Sequence, residues 1–314
     1  MEENRVLLSI CIPTYNRAAV LKSVLEKYVS NAEVDESVEI VVSDNASTDE
    51  TERICREAAK SLPNLKYHRN AENIRDLNFE TVISLASGQY IKLINDWMYF
   101  DEKALRKVKN RIKEHLIDRT PIFFSNHWLF TKFRDCATIE CHSLDEYVSA
   151  ISSYVTSNNL FGVWKEQWQQ VENKGRYSSY KLLQVDWTFQ IVSKFNHCIV
   201  YNDELISLAP VSLGPRGGYN WFQIHVDNYY RIMQPYINSG KISKKVYKQD
   251  RIYLLKHFKY ELFQTFIYKI NKYWQYETKG TFKILWKYYR YDFFFYCFMI
   301  KLPFHTGYIK SSHV

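Results

Sequence analysis

Residues 9–17 read SICIPTYNR, and residues 38–49 read VEIVVSDNASTD. Both segments begin with an apolar run, as expected of a parallel strand covered on both faces, and both end in polar residues. Residues 73–79 read NIRDLNF, and residues 88–96 read GQYIKLIND, a further apolar run with a polar end. Ligands of open parallel sheets bind beyond the carboxyl ends of the strands. The four segments therefore predict a polar site, suited to a nucleotide, at one edge of a sheet.

The segments between these strands carry apolar residues at helical spacing. The strands are expected at residues 6–12, 38–42, 65–68 and 90–94. The third helix is expected at 78–87, with Gly88 as its C-terminal cap. The residues expected to face inward on the first two helices are Val20, Leu21, Val24, Leu25, Tyr28, Ile54, Cys55 and Ala58. This β-α-β-α-β-α-β order predicts an α/β fold with a Rossmann-like, mostly parallel sheet and helices on both faces.

The size and composition of the chain indicate a folded protein with a large core. It has 314 residues, of which 46% are hydrophobic and 17% aromatic, which argues against global disorder. The longest unbroken apolar run, Phe293 to Ile300, has eight residues, whereas a spanning helix needs about twenty. The acidic start, Met1 to Arg5, does not suit a secretory signal. We therefore expect a cytoplasmic protein that does not cross a membrane.

The six cysteines form no Cys-x-x-Cys pair. Cys136 and Cys141 with His142 suggest zinc, but the second pair that a structural site needs is missing from the sequence. Reduced thiols in a cytosolic protein are the simpler interpretation.

Charge is distributed unevenly along the chain. Residues 241–314 hold 15 Lys or Arg, four Asp or Glu and 22 of the 52 aromatic residues, whereas residues 1–240 hold 27 basic and 30 acidic residues. We expect a site-bearing domain at 1–215 and a C-terminal helical, basic and aromatic appendage at 216–314. Such a segment favours the lipid headgroup region, which predicts peripheral contact with a membrane. The alternative is a helical cap with a solvated basic face. No nucleic-acid-binding motif is present, so a nucleic acid is not an expected partner.

The four segments, in this order, resemble those of family-2 glycosyltransferases with the GT-A fold, including the abequosyltransferase-like bacterial enzymes that build surface polysaccharides. The resemblance covers about the first hundred residues well and continues weakly to about residue 215. It implies that the nucleotide is bound by Pro13, Thr14, Tyr15, Arg17, Asp44, Asn45, Asn73, Arg75, Asp76, Asn95 and Asp96. In that family, the acid matching Asp44 holds the base or ribose, and the segment matching residues 73–78 closes over the nucleotide.

The metal motif departs from the family pattern. The family normally has Asp-x-Asp after the fourth strand, where one carboxylate helps bind Mn²⁺ or Mg²⁺, but this chain has Asn95-Asp96-Trp97-Met98. Three outcomes stay open. In the first, Asp96 holds the ion together with the diphosphate and water. In the second, a basic residue such as Arg75 neutralises the diphosphate in place of the ion. In the third, the protein binds the donor without turning it over. Asp101 and Glu102 are close enough in sequence to replace the missing acid.

The second half of the chain supplies the predicted base and acceptor residues. An inverting transfer needs a carboxylate that accepts the proton of the acceptor hydroxyl. The family places it in a Glu-Asp pair at a helix start, which implies Asp186 here, with Val185 in place of the usual Glu. A helix-capping aspartate is the alternative. Further acceptor or loop candidates are Trp164, Trp187 and Arg216; Arg216 stands in a Gly-rich loop that either folds over the donor phosphates or links two domains.

These observations predict an inverting glycosyltransferase. It would move a sugar from a nucleotide-diphosphate donor, with a UDP-sugar favoured, to a saccharide acceptor, lipid-linked in our interpretation. The product would be a capsule, O-antigen or other surface polysaccharide made at the inner face of the membrane. The alternative is a non-catalytic protein that binds a nucleotide-sugar or partners a synthase, because the metal motif is degenerate. A nucleotidyltransferase fits less well, because the Gly-rich phosphate loop after the first strand is absent.

Overall fold

The computed structural model describes residues 6–125, 138–211, 216–257 and 274–301. The chain divides into two compact units, residues 1–213 and 214–314, which are described separately.

The first unit is built around a five-stranded sheet. The strands of the whole unit are β1 (Leu8–Thr14), β2 (Val38–Asp44), β3 (Leu65–Arg69), β4 (Tyr90–Leu93), β5 (Met98–Phe100), β6 (Ile122–Phe124), β7 (Thr138–Cys141), β8 (Gly162–Trp164), β9 (Cys198–Tyr201) and β10 (Ile206–Leu208). The central sheet has the order β3-β2-β1-β4-β8. Its first four strands are parallel and β8 is antiparallel to β4, which confirms the predicted mostly parallel sheet.

Helices cover both faces of this sheet. They are α1 (Ala18–Val29), α2 (Thr51–Ala58), α3 (Leu77–Ser84), α4 (Glu102–Glu114), α5 (Leu144–Ile151), α6 (Lys165–Gln169) and α7 (Leu183–Phe195). Successive side chains of a strand point to opposite faces. Ile10 and Ile12 of β1 share one core cluster with residues of α1, α2 and α4, whereas Cys11, between them, donates to the Val82 carbonyl of α3 at 3.4 Å. The inward-facing residues predicted for α1 are all buried.

Gly88 is required for a close approach between strands rather than for a helix cap. The third helix ends at Ser84 and its C-terminal cap is Leu85 in a right-handed conformation, so the predicted cap was wrong. A Cβ at position 88 would lie 2.5 Å from Ser9 Oγ and 2.8 Å from Ser9 N. The Gly88 N–H instead donates to Ser9 Oγ at 2.8 Å. The absence of a side chain lets the chain enter β4 directly beside β1.

Two smaller sheets complete the first unit. β5 pairs antiparallel with β10. β9 lies between β6 and β7, parallel to β6 and antiparallel to β7. Short 3₁₀ turns at Ser152–Thr156, Asn158–Leu160 and Ser178–Tyr180 join the later helices and strands.

The second unit is mostly helical where it is described. Its elements are β11 (Arg216–Gly217), a π-helical turn at Gln223–Asn228, α8 (Tyr229–Asn238), α9 (Lys244–His257), β12 (Trp274–Gln275), α10 (Thr281–Tyr289) and α11 (Phe293–Lys301). Asp227 ties it together, because its carboxylate accepts from Lys287 Nζ at 2.6 Å and from the Tyr288 hydroxyl at 2.8 Å. Among the described residues, no helix is long and apolar enough to cross a bilayer.

Candidate functional site

The carboxyl ends of the parallel strands bring together the residues predicted from three separate segments. β1 ends at Thr14, β2 at Asp44 and β3 at Arg69, and Asp96 follows β4 by three residues. Thr14 is the register partner of Asp44, and Asp44 is the register partner of Arg69. Parallel register therefore gathers these side chains at one edge, as the sequence predicted.

The Asp96 side chain is almost completely buried at this edge of the sheet. One carboxylate oxygen, Oδ2, accepts from Thr14 Oγ1 at 2.9 Å, and Oδ1 accepts from Arg17 Nη1 at 3.0 Å. Burial raises the pKa of the Asp96 carboxyl, while Arg17 and Thr14 act in the opposite direction by stabilising its charged form. The Arg17 side chain is 39% exposed, so its guanidinium faces both Asp96 and solvent. Arg17 is therefore placed to meet an anionic ligand.

The carboxylate of Asp44 is fully buried and bound on both oxygens. Oδ1 accepts from the Ser47 N–H at 2.8 Å, and Oδ2 accepts from the Tyr67 hydroxyl at 2.8 Å and from Arg69 Nη1 at 3.2 Å. Tyr67 and Arg69 were missed by the sequence analysis, although both stand near the carboxyl end of a predicted strand. That position was the available signal.

Asn45 anchors the segment that the resemblance expects to close over the nucleotide. Its Nδ2 donates to Asn73 Oδ1 at 2.9 Å and to the Arg75 carbonyl at 3.2 Å, and its Oδ1 accepts from the Ile74 N–H at 2.9 Å. Arg75 has a positive φ of 54°. Asp76 is half-buried, and this burial raises the pKa of its carboxyl against the opposing charges of Lys181 and Arg75. The predicted segment is thus held at the end of β2 by Asn45, and Asn78 adds a second link by donating to the Ser43 carbonyl at 2.9 Å.

The loop after β1 presents an aromatic ring. Tyr15 is 44% exposed, and Pro13 before it pairs with Ser43 across the sheet. The next residue, Asn16, has a positive φ of 50°, and its Oδ1 accepts from the Thr48 N–H at 2.7 Å. The β1 and β2 loops are therefore tied together with the Tyr15 ring open to a ligand.

The described residues around Asp96 supply one carboxylate for a divalent ion. Asn95, Trp97 and Met98 flank it, as the sequence shows. Asp101 accepts from the Ala104 N–H at 2.8 Å as the cap of α4, and Glu102 binds Arg106 at 2.8 Å, so the suggested replacement acids are engaged elsewhere. Asp96 suits a hard cation as one oxygen ligand, and the remaining ligands would be diphosphate oxygens and water.

Lys92 supports the Asn95–Asp96 turn from inside the protein. Its side chain is fully buried, and its Nζ donates to the carbonyls of Leu93 and Phe161, each at 3.1 Å, and to that of Asn159. The Asn159 Oδ1 in turn accepts from the Asn95 N–H at 3.0 Å. Lys92 and Asn159 therefore join β4 and the turn after it to the strand that follows Asn159.

Stability should rise with pH above neutrality because of Lys92. Burial lowers the pKa of Lys92 to about 7, whereas an unfolded lysine titrates at about 10.4. Between these values the unfolded chain binds more protons, so the free energy of unfolding should rise with pH, by at most about 1.4 kcal/mol per pH unit. Urea unfolding at pH 7, 8 and 9 measures this slope. The Lys92→Met variant should lack this part of the slope, and equal slopes in the two proteins would contradict the prediction.

Asp186 lies in the first turn of α7 and is bound by an arginine. It is 1% exposed, and Arg176 Nε donates to its Oδ2 at 2.8 Å while Arg176 Nη2 donates to Oδ1. Gln190 Nε2 also donates to Oδ2 at 2.9 Å. The predicted base is thus at a helix start, as expected, but a bidentate partner that the sequence analysis missed covers its carboxylate.

The predicted acceptor aromatics are placed differently from their expected role. Trp164 and Trp187 are both fully buried, and their indole N–H groups donate to the carbonyls of Thr120 at 2.7 Å and Lys174 at 2.8 Å. Such positions do not present a ring to a sugar, so the structure does not support that expectation. The backbone of Arg216 lies in β11. The sequence also offers Trp128 as a ring that could stack on a sugar, and this residue lies outside the described residues.

The loop that carries Arg176 reaches the segment around Asp76. A Cβ on Gly175 would lie 3.1 Å from Leu77 Cδ2, and Lys181 is close enough to stabilise the charge of Asp76. Tyr177 and Tyr180 of this loop are part-exposed, with ring centroids 5.3 Å apart. This loop therefore connects the surroundings of Asp186 with residues 73–78.

Comparison with known proteins shows what the N-terminal part of this chain is similar to. Residues 9–132 match the model of Glycosyl transferase family 2. This segment of the chain is therefore similar to family-2 glycosyltransferases. It is 35% identical over 116 residues to abequosyltransferase RfbV of Salmonella typhimurium, a match that covers 36% of this chain and 33% of that protein. The chain thus matches about a third of the length of this curated relative.

Solved structures show that the fold is the one seen in GT-A glycosyltransferases. TarS of S. aureus has a TM-score of 0.57 at 17% identity, covering 83% of this chain and 46% of that chain. Mannosyltransferase PcManGT from Pyrobaculum calidifontis, in complex with GDP-Man and Mn²⁺, has a TM-score of 0.53 at 14% identity, covering 96% and 86%. The α/β fold predicted from the four segments is confirmed.

Proposed function

We propose that this protein is an inverting glycosyltransferase that takes a sugar from a nucleotide-diphosphate donor, with a UDP-sugar favoured. The acceptor would be a saccharide in the synthesis of a bacterial surface polysaccharide. The observation that carries the proposal is that Arg17 binds Asp96, and Asn45 binds the Arg75 carbonyl, beyond the carboxyl ends of the parallel strands β1, β2 and β4. The likeness to RfbV and the complex of TarS with UDP support the donor class.

In this proposal different residues near the ends of the parallel strands bind different parts of the donor. The Tyr15 ring stacks on the base, because it is an exposed aromatic face at the site. Arg17 and Arg75 bind the diphosphate, since guanidinium groups pair with phosphate oxygens. A Mn²⁺ or Mg²⁺ ion held by Asp96 would neutralise further charge on the leaving diphosphate. Asp96 also keeps Arg17 oriented in the free protein.

Asp186 serves as the base in this proposal once Arg176 is displaced. An acceptor hydroxyl must approach within hydrogen-bond reach of the carboxylate before its proton can be accepted. Arg176 now occupies both carboxylate oxygens, so acceptor binding must move the loop that carries it. The residues at the two ends of this loop, Asn173 and Lys181, have positive φ angles of 43° and 60°.

Donor binding tests the proposal directly. Isothermal titration of the protein with UDP, GDP, CDP and dTDP, each with Mn²⁺ and with EDTA, should show one nucleotide bound preferentially. Binding that needs Mn²⁺ would support an ion at Asp96, and binding that persists in EDTA would assign the diphosphate to arginines. If none of the four nucleotides binds, the proposed function fails.

A non-catalytic nucleotide-sugar-binding protein is the second candidate. One observation favours it: Arg17 and Arg176 each bind one of the two carboxylates that the chemistry would use. It predicts nucleotide binding without transfer to any saccharide acceptor. Transfer of radiolabelled sugar to bacterial membrane extracts would exclude it.

We further propose that the second unit contacts a membrane that carries a lipid-linked acceptor. Its helices α10 and α11 and the turn between them expose six large aromatic side chains, 44% to 86% accessible: Phe282, Trp286, Tyr291, Phe293, Phe294 and Tyr296. Lys283 and Arg290 are exposed among them. Aromatic rings at the interface and cations beside anionic lipid favour such contact.

The double variant Trp286→Ser, Phe293→Ser should bind anionic vesicles at least about tenfold more weakly than the parent. Each lost aromatic removes about 1.5–3 kcal/mol of full burial at most, and partial insertion retains part of that. Co-sedimentation with phosphatidylglycerol vesicles measures the effect. The control is Ile117→Ser, which removes a fully exposed apolar side chain of the first unit. Unchanged sedimentation of the double variant would contradict the membrane proposal.

A further inference from the structure

Two histidines and a glutamate form a cluster on the three-stranded sheet, on elements that supply no residue of the donor site. β7 and β9 are antiparallel, with Cys141 opposite Cys198. The next pair in this register is His142 opposite His197. Because side chains alternate along a strand, Glu140 and His142 point to the same face, and His197 joins them there. The register thus brings His197 beside Glu140, which lies 57 residues earlier in the sequence, and beside His142.

The potential ligand atoms of this cluster lie close enough together for one ion. The imidazole rings of His142 and His197 are parallel to within 4°, with centroids 5.1 Å apart. Glu140 Oε1 lies 2.7 Å from His197 Nε2 and 3.9 Å from His142 Nε2. All three potential ligand atoms lie within 4.8 Å of one another. A single ion can therefore contact all three after small side-chain rotations.

The backbone holds two of the ligands in place. The His142 N–H donates to Glu146 Oε2 at 2.8 Å, at the start of α5. His197 follows Asn196, the left-handed cap of α7, and precedes β9 directly. The three side chains are part-exposed to exposed, which leaves room for water as a fourth ligand.

We propose that Glu140, His142 and His197 bind a zinc ion. Two imidazole nitrogens and one carboxylate oxygen are an established zinc ligand set, whereas Mn²⁺ and Mg²⁺ favour oxygen ligands. The Cys141 side chain lies on the buried face with Cys198, so this set differs from the cysteine-based one weighed in the sequence analysis. The ion would join β7 to β9 and so stabilise the three-stranded sheet, whose middle strand β9 follows helix α7.

Zinc titration with a competing fluorescent chelator tests the site. The parent and Asp96→Asn should each bind one zinc ion with equal affinity, because the donor site contributes none of the three ligands. His142→Ala and His197→Ala should each bind at least about tenfold more weakly, since even the loss of an outer-shell partner costs that much. The control is His115→Gln, which removes a histidine that faces the carboxylate of Asp118 at 3.2 Å. Its zinc affinity should equal that of the parent.

Thermal unfolding separates zinc binding from a loss of fold. Zinc should raise the melting temperature of the parent and of His115→Gln, and should leave those of the two alanine variants unchanged. If an alanine variant is unfolded without metal, Glu140→Gln replaces it, because this change removes one exposed charge and keeps the side-chain shape. The proposal is overturned if the parent binds no stoichiometric zinc, or if the ligand variants bind it as tightly as the parent.

Discussion

Replacing Asp96 with asparagine should lower kcat/KM for sugar transfer by about 100-fold or more. The carboxylate is buried at the end of β4, where it binds Thr14 and Arg17. Asparagine has the same shape but no charge, so Arg17 loses its ion pair, and the divalent ion of the proposed function would lose its protein carboxylate. The loss of one electrostatic contact at a reacting centre typically costs about 10²–10³ in rate. Steady-state assays with the donor identified by titration, at varied Mn²⁺ concentration, measure the effect.

The matched control for this change is Glu102→Gln. Glu102 lies six residues further along the chain and binds Arg106 on the exposed face of α4. Its replacement should leave kcat/KM within about twofold of the parent, since changes in exposed ion pairs have small energetic effects. Full activity of Asp96→Asn would refute the role proposed for this carboxylate. A loss of activity in Glu102→Gln would instead assign Glu102 to the ion.

Of the two single variants, Asp186→Asn should lose more activity, whereas Arg176→Gln should lose more stability. If Asp186 is the base, Asp186→Asn should lower kcat by about 10²–10⁴-fold, the usual contribution of general-base catalysis. Arg176→Gln frees the carboxylate and should retain at least about a tenth of the parental kcat. Both rates are to be measured per folded molecule, with saturating donor and acceptor.

For stability, Arg176→Gln should be the more damaging of the two changes. It leaves the fully buried Asp186 charge without its guanidinium partner, at a cost of about 3 kcal/mol in the free energy of unfolding. This is the low end for a broken buried pair, because 34% of the Arg176 side chain is exposed. Asp186→Asn leaves a cation that water can reach, so its cost should be smaller. Urea unfolding measures both values.

Equal losses of activity in the two variants would show that Asp186 acts only through its pair with Arg176. The pair would then be structural, and the base would be another residue. Activity retained by Asp186→Asn would exclude it as the base even if the variant is less stable. Comparing the two variants in both activity and stability therefore distinguishes a catalytic carboxylate from a structural one.

The sequence by itself determined the first four strands of the central sheet, the first three helices and the edge at which the polar strand ends gather. Apolar runs such as residues 38–42 and the helical spacing of Val20, Leu21 and Val24 are local patterns, and burial in the structure follows them. Polar residues after a parallel strand lie at one edge whatever the details of packing, because all parallel strands end on the same side. Local periodicity was thus sufficient to predict the fold and the position of Asp44 and Asp96.

Only the tertiary structure decided which partners these residues have. Arg17 lies 79 residues from Asp96 in sequence, and Tyr67 lies 23 residues from Asp44, so no local pattern links them. The pairing of His142 with His197 depends on the register of β7 and β9, and a one-residue slip would turn His197 to the opposite face. Long-range register and the rotamers of long side chains are set by packing across the whole unit. For that reason the covering of Asp186 by Arg176 could be seen only in the folded chain.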